Sequence, residues 1–200
     1  MTGLPLAAVA GFLLGSIPFS YLLARCVGGL DIRAVGSGNV GATNVARTAG
    51  WRLGVIALLL DAAKGAAAVF AGRAFAAEGE AVVAGAVAGG AAILGHVFTP
   101  WLRFRGGKGV ATGAGVFAVL APMALGIALA AFAAAVAISR MVSLGSVAAA
   151  AMLPAAALGL GAPQPIVILA FGAGALILFT HRTNIARMLR KTEHRLGSGA

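Results

Sequence analysis

Long apolar runs alternate with short polar, Gly-rich segments along this chain. Leu4 to Ala24 is uncharged, and a bilayer core takes about 20 helical residues. Arg25 to Arg52 is polar and basic. Gly54 to Gly72 is apolar apart from Asp61 and Lys64, and Arg73 to Glu80 makes a short turn with Glu78. Ala81 to Leu102 is a third apolar run, followed by the basic stretch Arg103 to Lys108. Gly109 to Ser139 then runs uncharged to Arg140. Met141 to Thr180 is uncharged again, with a turn signal at Gly161-Ala162-Pro163-Gln164-Pro165, and the tail from His181 is basic.

This pattern predicts an all-α integral membrane protein, one polytopic domain over residues 1–200. The stretch Met141–Thr180 divides into two helices at its Gly/Pro turn. Gly109–Ser139 is harder to place. As one helix it is about 46 Å long at 1.5 Å per residue, too long for a core of about 30 Å without strong tilt. If it crosses once, Arg140 and the basic C-terminal cluster lie opposite the other basic loops. If it turns near Ala121-Pro122, nearly all basic residues share one side and only Arg73 lies opposite. The positive-inside rule selects the second arrangement. The expectation is seven transmembrane helices, the fourth short (roughly Val110 to Leu120). The N-terminus is then outside, and the C-terminus and the polar loops are cytoplasmic. The first apolar run lacks a preceding basic region, so it reads as a retained span rather than a signal peptide.

Composition agrees. Hydrophobic residues make up 60% of the 200 and charged residues 10%, against about 25% charged in soluble domains. The 30 glycines suit close helix approach, and Gly11/Gly15 and Gly85/Gly89 are small-xxx-small pairs expected to serve packing. One cysteine, Cys26, excludes a disulfide framework. The net charge of +10 lies between apolar spans, which points to anionic lipid headgroups. No nucleic-acid-binding fold is visible, so no nucleic acid is expected.

Three polar segments carry the candidate chemistry. The first contains Asp31, Gly36-Ser37-Gly38-Asn39, Gly41, Thr43, Asn44 and Arg47. Glycines let backbone N–H groups turn onto an anion, and Ala42 to Arg47 looks like a helix start. It lacks the Gly-Lys-Ser/Thr ending of a nucleotide-binding loop; a plain turn-rich loop is the bland alternative. The second runs from Gly95-His96 through Trp101, Arg103 and Arg105 to Gly106-Gly107-Lys108-Gly109 and Thr112. Lys108 suits phosphate as a point charge, Arg103 reads as a headgroup anchor and Trp101 as an interfacial belt residue. His96 is either an acid–base or ligand group or a hydrogen-bonded structural histidine. The third is His181-Arg182-Thr183-Asn184-Ile185-Ala186-Arg187, where His181 and Asn184 share a face if the helix continues; its alternative is a basic interfacial helix end. Ser139, Arg140, Ser143 and Ser146 belong to the same side. Asp61 and Lys64, one turn apart in a span, are expected to pair with each other or with a basic loop. Asp31 and Glu193 lie near basic residues and read as simple ion pairs.

No His/Cys metal cluster, Gly-x-Ser-x-Gly elbow or catalytically spaced carboxylate pair is present, so neither metal nor cofactor is expected. Cations and hydroxyls beside lipid suit a phosphorylated substrate meeting a hydrophobic one. With few general bases, the donor must already be activated. An acyl phosphate fits, because its departing phosphate can take the proton of an attacking hydroxyl while the protein orients and neutralises charge. A transporter of organic phosphates is the rival from another class. It would favour internal repeats and a midplane site. A membrane scaffold leaves the polar segments unexplained.

The sequence closely resembles the PlsY family, the bacterial acyl-phosphate:glycerol-3-phosphate acyltransferases. The resemblance rests on Gly15-Ser-Ile-Pro18, Asp31-Ile-Arg33 with Gly36-Ser-Gly-Asn-Val-Gly-Ala-Thr-Asn44, Gly95-His96 with Phe104-Arg-Gly-Gly-Lys-Gly-Val-Ala-Thr112, and His181-Arg-Thr-Asn-Ile185. It covers nearly the whole chain. It implies acyl transfer from acyl phosphate to the 1-hydroxyl of glycerol 3-phosphate, giving lysophosphatidic acid and phosphate. It also implies a seven-helix fold in the bacterial inner membrane, a cytoplasm-facing site, and no use of acyl-CoA. A monomer is expected. By motif match, Ser37, Arg47 and Lys108 are implied to bind substrate phosphate, with Ser143, His181 and Asn184 close by and Asn39 and Thr43 as further contributors. Ser37, His181 and Asn184 are the implied catalytic groups. The family's tail usually continues through Gly-x-Glu; here it reads Lys191-Thr192-Glu193, without that glycine.

Overall fold

Prolines and glycines cut the apolar runs into helices. The computed structural model describes residues 3–197 and contains no strand among them. Contacts group the chain into two compact units, Met1–Leu120 and Ala121–Ala200.

The first unit holds α1 (Gly3–Ser16), α2 (Phe19–Cys26), α3 (Ala42–Thr48), α4 (Trp51–Ala74), α5 (Ala81–Val97) and α6 (Val110–Leu120). The Leu4–Ala24 run is therefore two helices, interrupted at Ile17-Pro18. Proline lacks an N–H, and its ring crowds the preceding turn. Carbonyls released by the break find side-chain donors instead. Thr99 Oγ1 donates to the Ser16 carbonyl at 2.7 Å and Lys64 Nζ to that of Ile17 at 2.7 Å. Helix α1 packs on α5, and α4 packs on α5 and α6. Small residues permit this closeness: Gly11 and Gly15 lie against the Ala88 and Ala92 carbonyls, and Gly65 and Gly115 against those of Thr112 and Ala62. Gly85 faces Val69 and Arg73, and Gly89 faces Val69 and Val116. Lipid tails are as apolar as leucine, so such contacts, rather than apolar burial, favour helix association.

The second unit holds α7 (Pro122–Ser139), α8 (Val142–Gly159), α9 (Gln164–Thr180) and α10 (Arg182–Leu189). The Gly109–Ser139 stretch is thus divided at Ala121, and Met141–Thr180 at Gly161–Pro163. Helix α8 packs against both α7 and α9. Helix α7 buries only Ala124 and Ala128 among its described residues, which suits a lipid-facing span.

By length and apolarity, Gly3–Cys26, α4, Ala81–Leu102, α7 and α8 can each cross a membrane. The pair α9–α10, bent by 57°, makes a sixth if taken as one span, and α6 is a shorter apolar helix.

Candidate functional site

In the first unit, the loop between α2 and α3 is tied from beneath by Asn44, which is 2% exposed. Its Oδ1 accepts the Ser37 N–H at 2.9 Å, and its Nδ2 donates to the Ile32 carbonyl at 2.9 Å and the Val35 carbonyl at 3.1 Å. Ile32, Val40, Val45, Ala57 and Leu102 form the apolar floor. Gly36 and Gly38 take left-handed backbone, φ 59° and 69°, which glycine adopts without strain. Asn44 sits so close to Gly36 that a side chain there has no room. This cradle leaves Ser37, Thr43 and Arg47 exposed and Asn39 half-buried. Asn44 therefore builds the loop and faces inward. Asp31 bonds Arg33 through its side chain and backbone. The side-chain bond, then the backbone bond, hold its carboxyl down at about 2.

The second polar segment folds back on the end of α5. The Gly106 N–H donates to the Val97 carbonyl at 2.9 Å and the Gly107 N–H to the His96 carbonyl at 3.2 Å. Between them, Arg103 (φ 53°) and Phe104 (φ 61°) take left-handed backbone, a conformation that costs L-residues energy and often marks functional loops. Arg103, Phe104 and Arg105 are exposed and Lys108 is half-buried. Trp101 is exposed, with Nε1 donating to Ser16 Oγ at 3.1 Å, as an interfacial residue would be.

Below this loop lies a buried polar network. Asp61 accepts from Ser20 Oγ at 2.7 Å, pairs with Lys64 Nζ at 2.8 Å, and faces His96 Nδ1 at 3.6 Å. The last is an electrostatic contact, too long for a good hydrogen bond. Asp61 and Lys64 thus bond each other as expected, but Ser20 and His96 join them. These groups line one small cavity together with Gly106 and Gly107.

In the second unit, the helix does not continue straight through the third segment. His181 caps the end of α9 and the start of α10. It is 3% exposed and Asn184 6%, so both face inward despite the bend. His181 Nδ1 lies 2.8 Å from the Ile177 carbonyl. A carbonyl only accepts, so Nδ1 carries a proton and donates. Asn184 Nδ2 donates to Glu193 Oε1 at 2.6 Å and Arg187 Nε to Glu193 Oε2 at 2.7 Å. Burial alone would raise the Glu193 carboxyl, but bonds from Arg187 and Asn184, with help from Ser143, hold it below the usual carboxylate range. The Ser143 hydroxyl oxygen itself is buried without a well-formed hydrogen bond. Glu193 is more than the simple ion pair the sequence suggested, because it also fixes the amide of Asn184. Lys191, which stands where the resemblance implies a glycine, takes φ 60°. Its N–H donates to the Met188 carbonyl and that of Thr192 to the Arg187 carbonyl. That is the Schellman ending of a helix, where glycine is favoured.

Among the described residues, no group of three or more His, Cys, Asp or Glu side chains could hold a metal. The arrangement offers exposed cations and hydroxyls on glycine-rich loops in one unit. In the other it offers a fixed histidine and amide. Sequence reasoning missed Ser20, and it left His96 undecided. The available signal was two ionisable residues inside a span, which demand buried partners.

The glycerol-3-phosphate acyltransferase family model matches residues 5–191. A glycerol-3-phosphate acyltransferase of Synechococcus sp. (strain JA-3-3Ab) is 45% identical over 195 residues, 96% of this chain and 93% of that protein. The crystal structure of PlsY, an integral membrane glycerol 3-phosphate acyltransferase, in its glycerol 3-phosphate form superposes with a TM-score of 0.90 at 35% identity. That match covers 99% of this chain and 97% of the other. Its lysophosphatidic acid form gives 0.88 at 34% identity over the same shares.

Proposed function

Because this chain belongs to the glycerol-3-phosphate acyltransferase family, we propose that it moves a fatty acyl group from acyl phosphate to the 1-hydroxyl of glycerol 3-phosphate. The observation that carries this reading is the near-complete superposition on an acyltransferase structure in its glycerol 3-phosphate form. The hydroxyl oxygen attacks the acyl carbonyl carbon, the carbon–oxygen bond to phosphate breaks, and the departing phosphate takes the hydroxyl proton. The products are lysophosphatidic acid and phosphate. The protein supplies orientation and charge stabilisation.

Ser37, Asn39, Thr43, Arg47 and Lys108 of the first unit bind substrate, with Arg47 and Lys108 neutralising phosphate charge. Ser143, His181 and Asn184 of the second unit serve the same reaction. Ser37, His181 and Asn184 act on the reacting groups. Burial and fixed bonding of His181 and Asn184 support this, since groups already held in place need no reorganisation during reaction. Residues 1–200 work as one domain, a monomer in a bacterial inner membrane. Seven helices cross it, with α6 the short fourth, the N-terminus outside, and the C-terminus and polar loops cytoplasmic. The clustering of basic residues supports that orientation.

The test uses purified protein in lipid-supplemented detergent with labelled glycerol 3-phosphate and either palmitoyl phosphate or palmitoyl-CoA. Lysophosphatidic acid from palmitoyl phosphate alone is expected. Product from palmitoyl-CoA overturns the donor, and no product from either, with folded protein, overturns the enzyme.

A further inference from the structure

The network under the second loop costs free energy that its packing alone does not explain. Asp61 is 1% exposed, Lys64 4% and His96 7%. Replacing buried ion pairs by apolar side chains is often neutral or stabilising, so a purely structural role gives little reason for one here. Lys64 also satisfies the Ile17 carbonyl freed by Pro18. The ring of His96 serves no such carbonyl. Its Nδ1 faces Asp61. Its other ring nitrogen, Nε2, abuts Gly107 so closely that no Cβ fits there. The His96 carbonyl accepts the Gly107 N–H and leaves no room for a Cβ at Gly106. The imidazole is thus a strut between a buried carboxylate and Gly107, the residue before Lys108.

We propose that His96, oriented by Asp61, is a positioning residue that sets the Gly106–Lys108 backbone for a substrate phosphate. The inference rests on the acyltransferase reading and on Lys108 meeting phosphate. The tip of the ring, not merely a neutral partner for Asp61, fixes the loop. A loop that rocks by about 1 Å places the Lys108 charge wrongly, and misplacement of that size can cost up to about a hundredfold in kcat/KM.

Two substitutions separate the roles. In His96→Asn the amide reaches the Nδ1 position and can still face Asp61, but the tip is gone. In His96→Gln the amide reaches the Nε2 position and still touches Gly107. Hydrogen exchange of the Gly106 and Gly107 amides, in detergent and without substrate, reads the loop. Steady-state kinetics with palmitoyl phosphate and glycerol 3-phosphate read its use. For His96→Asn, exchange about tenfold faster at Gly107 is expected. A KM about tenfold or more higher for one of the two phosphorylated substrates should accompany it, with kcat and thermal stability nearly kept. His96→Gln should stay close to the parent in both readouts. Unchanged exchange or unchanged KM in the Asn variant overturns the proposal, as does a Gln variant no better than Asn. If the Asn variant does not fold, Gly107→Ala pushes the loop off the ring directly. It must then show the faster exchange and raised KM, and a parent-like Gly107→Ala overturns the proposal. A parent protein that makes no lysophosphatidic acid sinks the acyltransferase reading instead, while the exchange data still decide whether His96 holds the loop.

Discussion

Lys191 holds a backbone position that suits glycine, at φ 60° in the Schellman ending of α10. An L-residue in that region gives up roughly 1–2 kcal/mol. Lys191→Gly should therefore raise the thermal midpoint in detergent, by about 1 kcal/mol in stability. An unchanged or lower midpoint would show that the lysine side chain compensates. Two residues on, Glu193 makes a pH prediction. Its carboxyl lies below the ordinary value of 4.5 when folded. A depressed carboxyl stabilises the fold fully above its unfolded value, and that contribution is lost as pH falls through the folded value. Glu193→Gln should be less stable than the parent at neutral pH, with the difference shrinking below about pH 4.5. Thermal midpoints at several pH values check this, and a constant difference would contradict it.

At the level of elements, glycine matters where backbones touch. Gly15 of α1 lies on the Ala92 carbonyl of α5, whereas nothing lies within 4 Å of a Cβ at Gly172 of α9. Gly15→Leu should destabilise by about 1–3 kcal/mol or more, as overpacked sites do, while Gly172→Leu should be nearly neutral. Equal thermal shifts would rule out the α1–α5 contact as drawn. Most helices were legible because their ends are written in local residues. Ala121-Pro122 and Gly161–Pro163 divide the two long apolar stretches where expected. The break at Pro18 was missed because uncharged residues on both sides give one continuous hydropathy signal. The site was legible as motifs but not as geometry. Asn44 reads as one more polar loop residue until its bonds to Ile32, Val35 and Ser37 are seen. Ser20 and Asp61 are 41 residues apart, and no periodicity connects them.

Across the whole molecule, the proposed seven-helix topology puts Ala121 and Arg105 on opposite sides of the membrane. With the exposed Cys26 first changed to serine, a cysteine at Ala121 should react with an impermeant maleimide on intact cells. One at Arg105, exposed on the second loop, should react only after the membrane is opened. Labelling of both from the same side would leave α6 without a crossing. The pairing of Asp61 with Lys64 bears on how such a molecule is made. Both sit on α4, one turn apart, so each cancels the other's charge as soon as that helix winds. No neighbouring helix is needed. The segment leaving the ribosome can enter lipid with no net charge in its middle, and its insertion does not wait for the rest of the chain. Of the other partners of that carboxylate, Ser20 precedes α4 in the chain and only His96 follows it, so one group of the polar centre is still to come when the pair is complete.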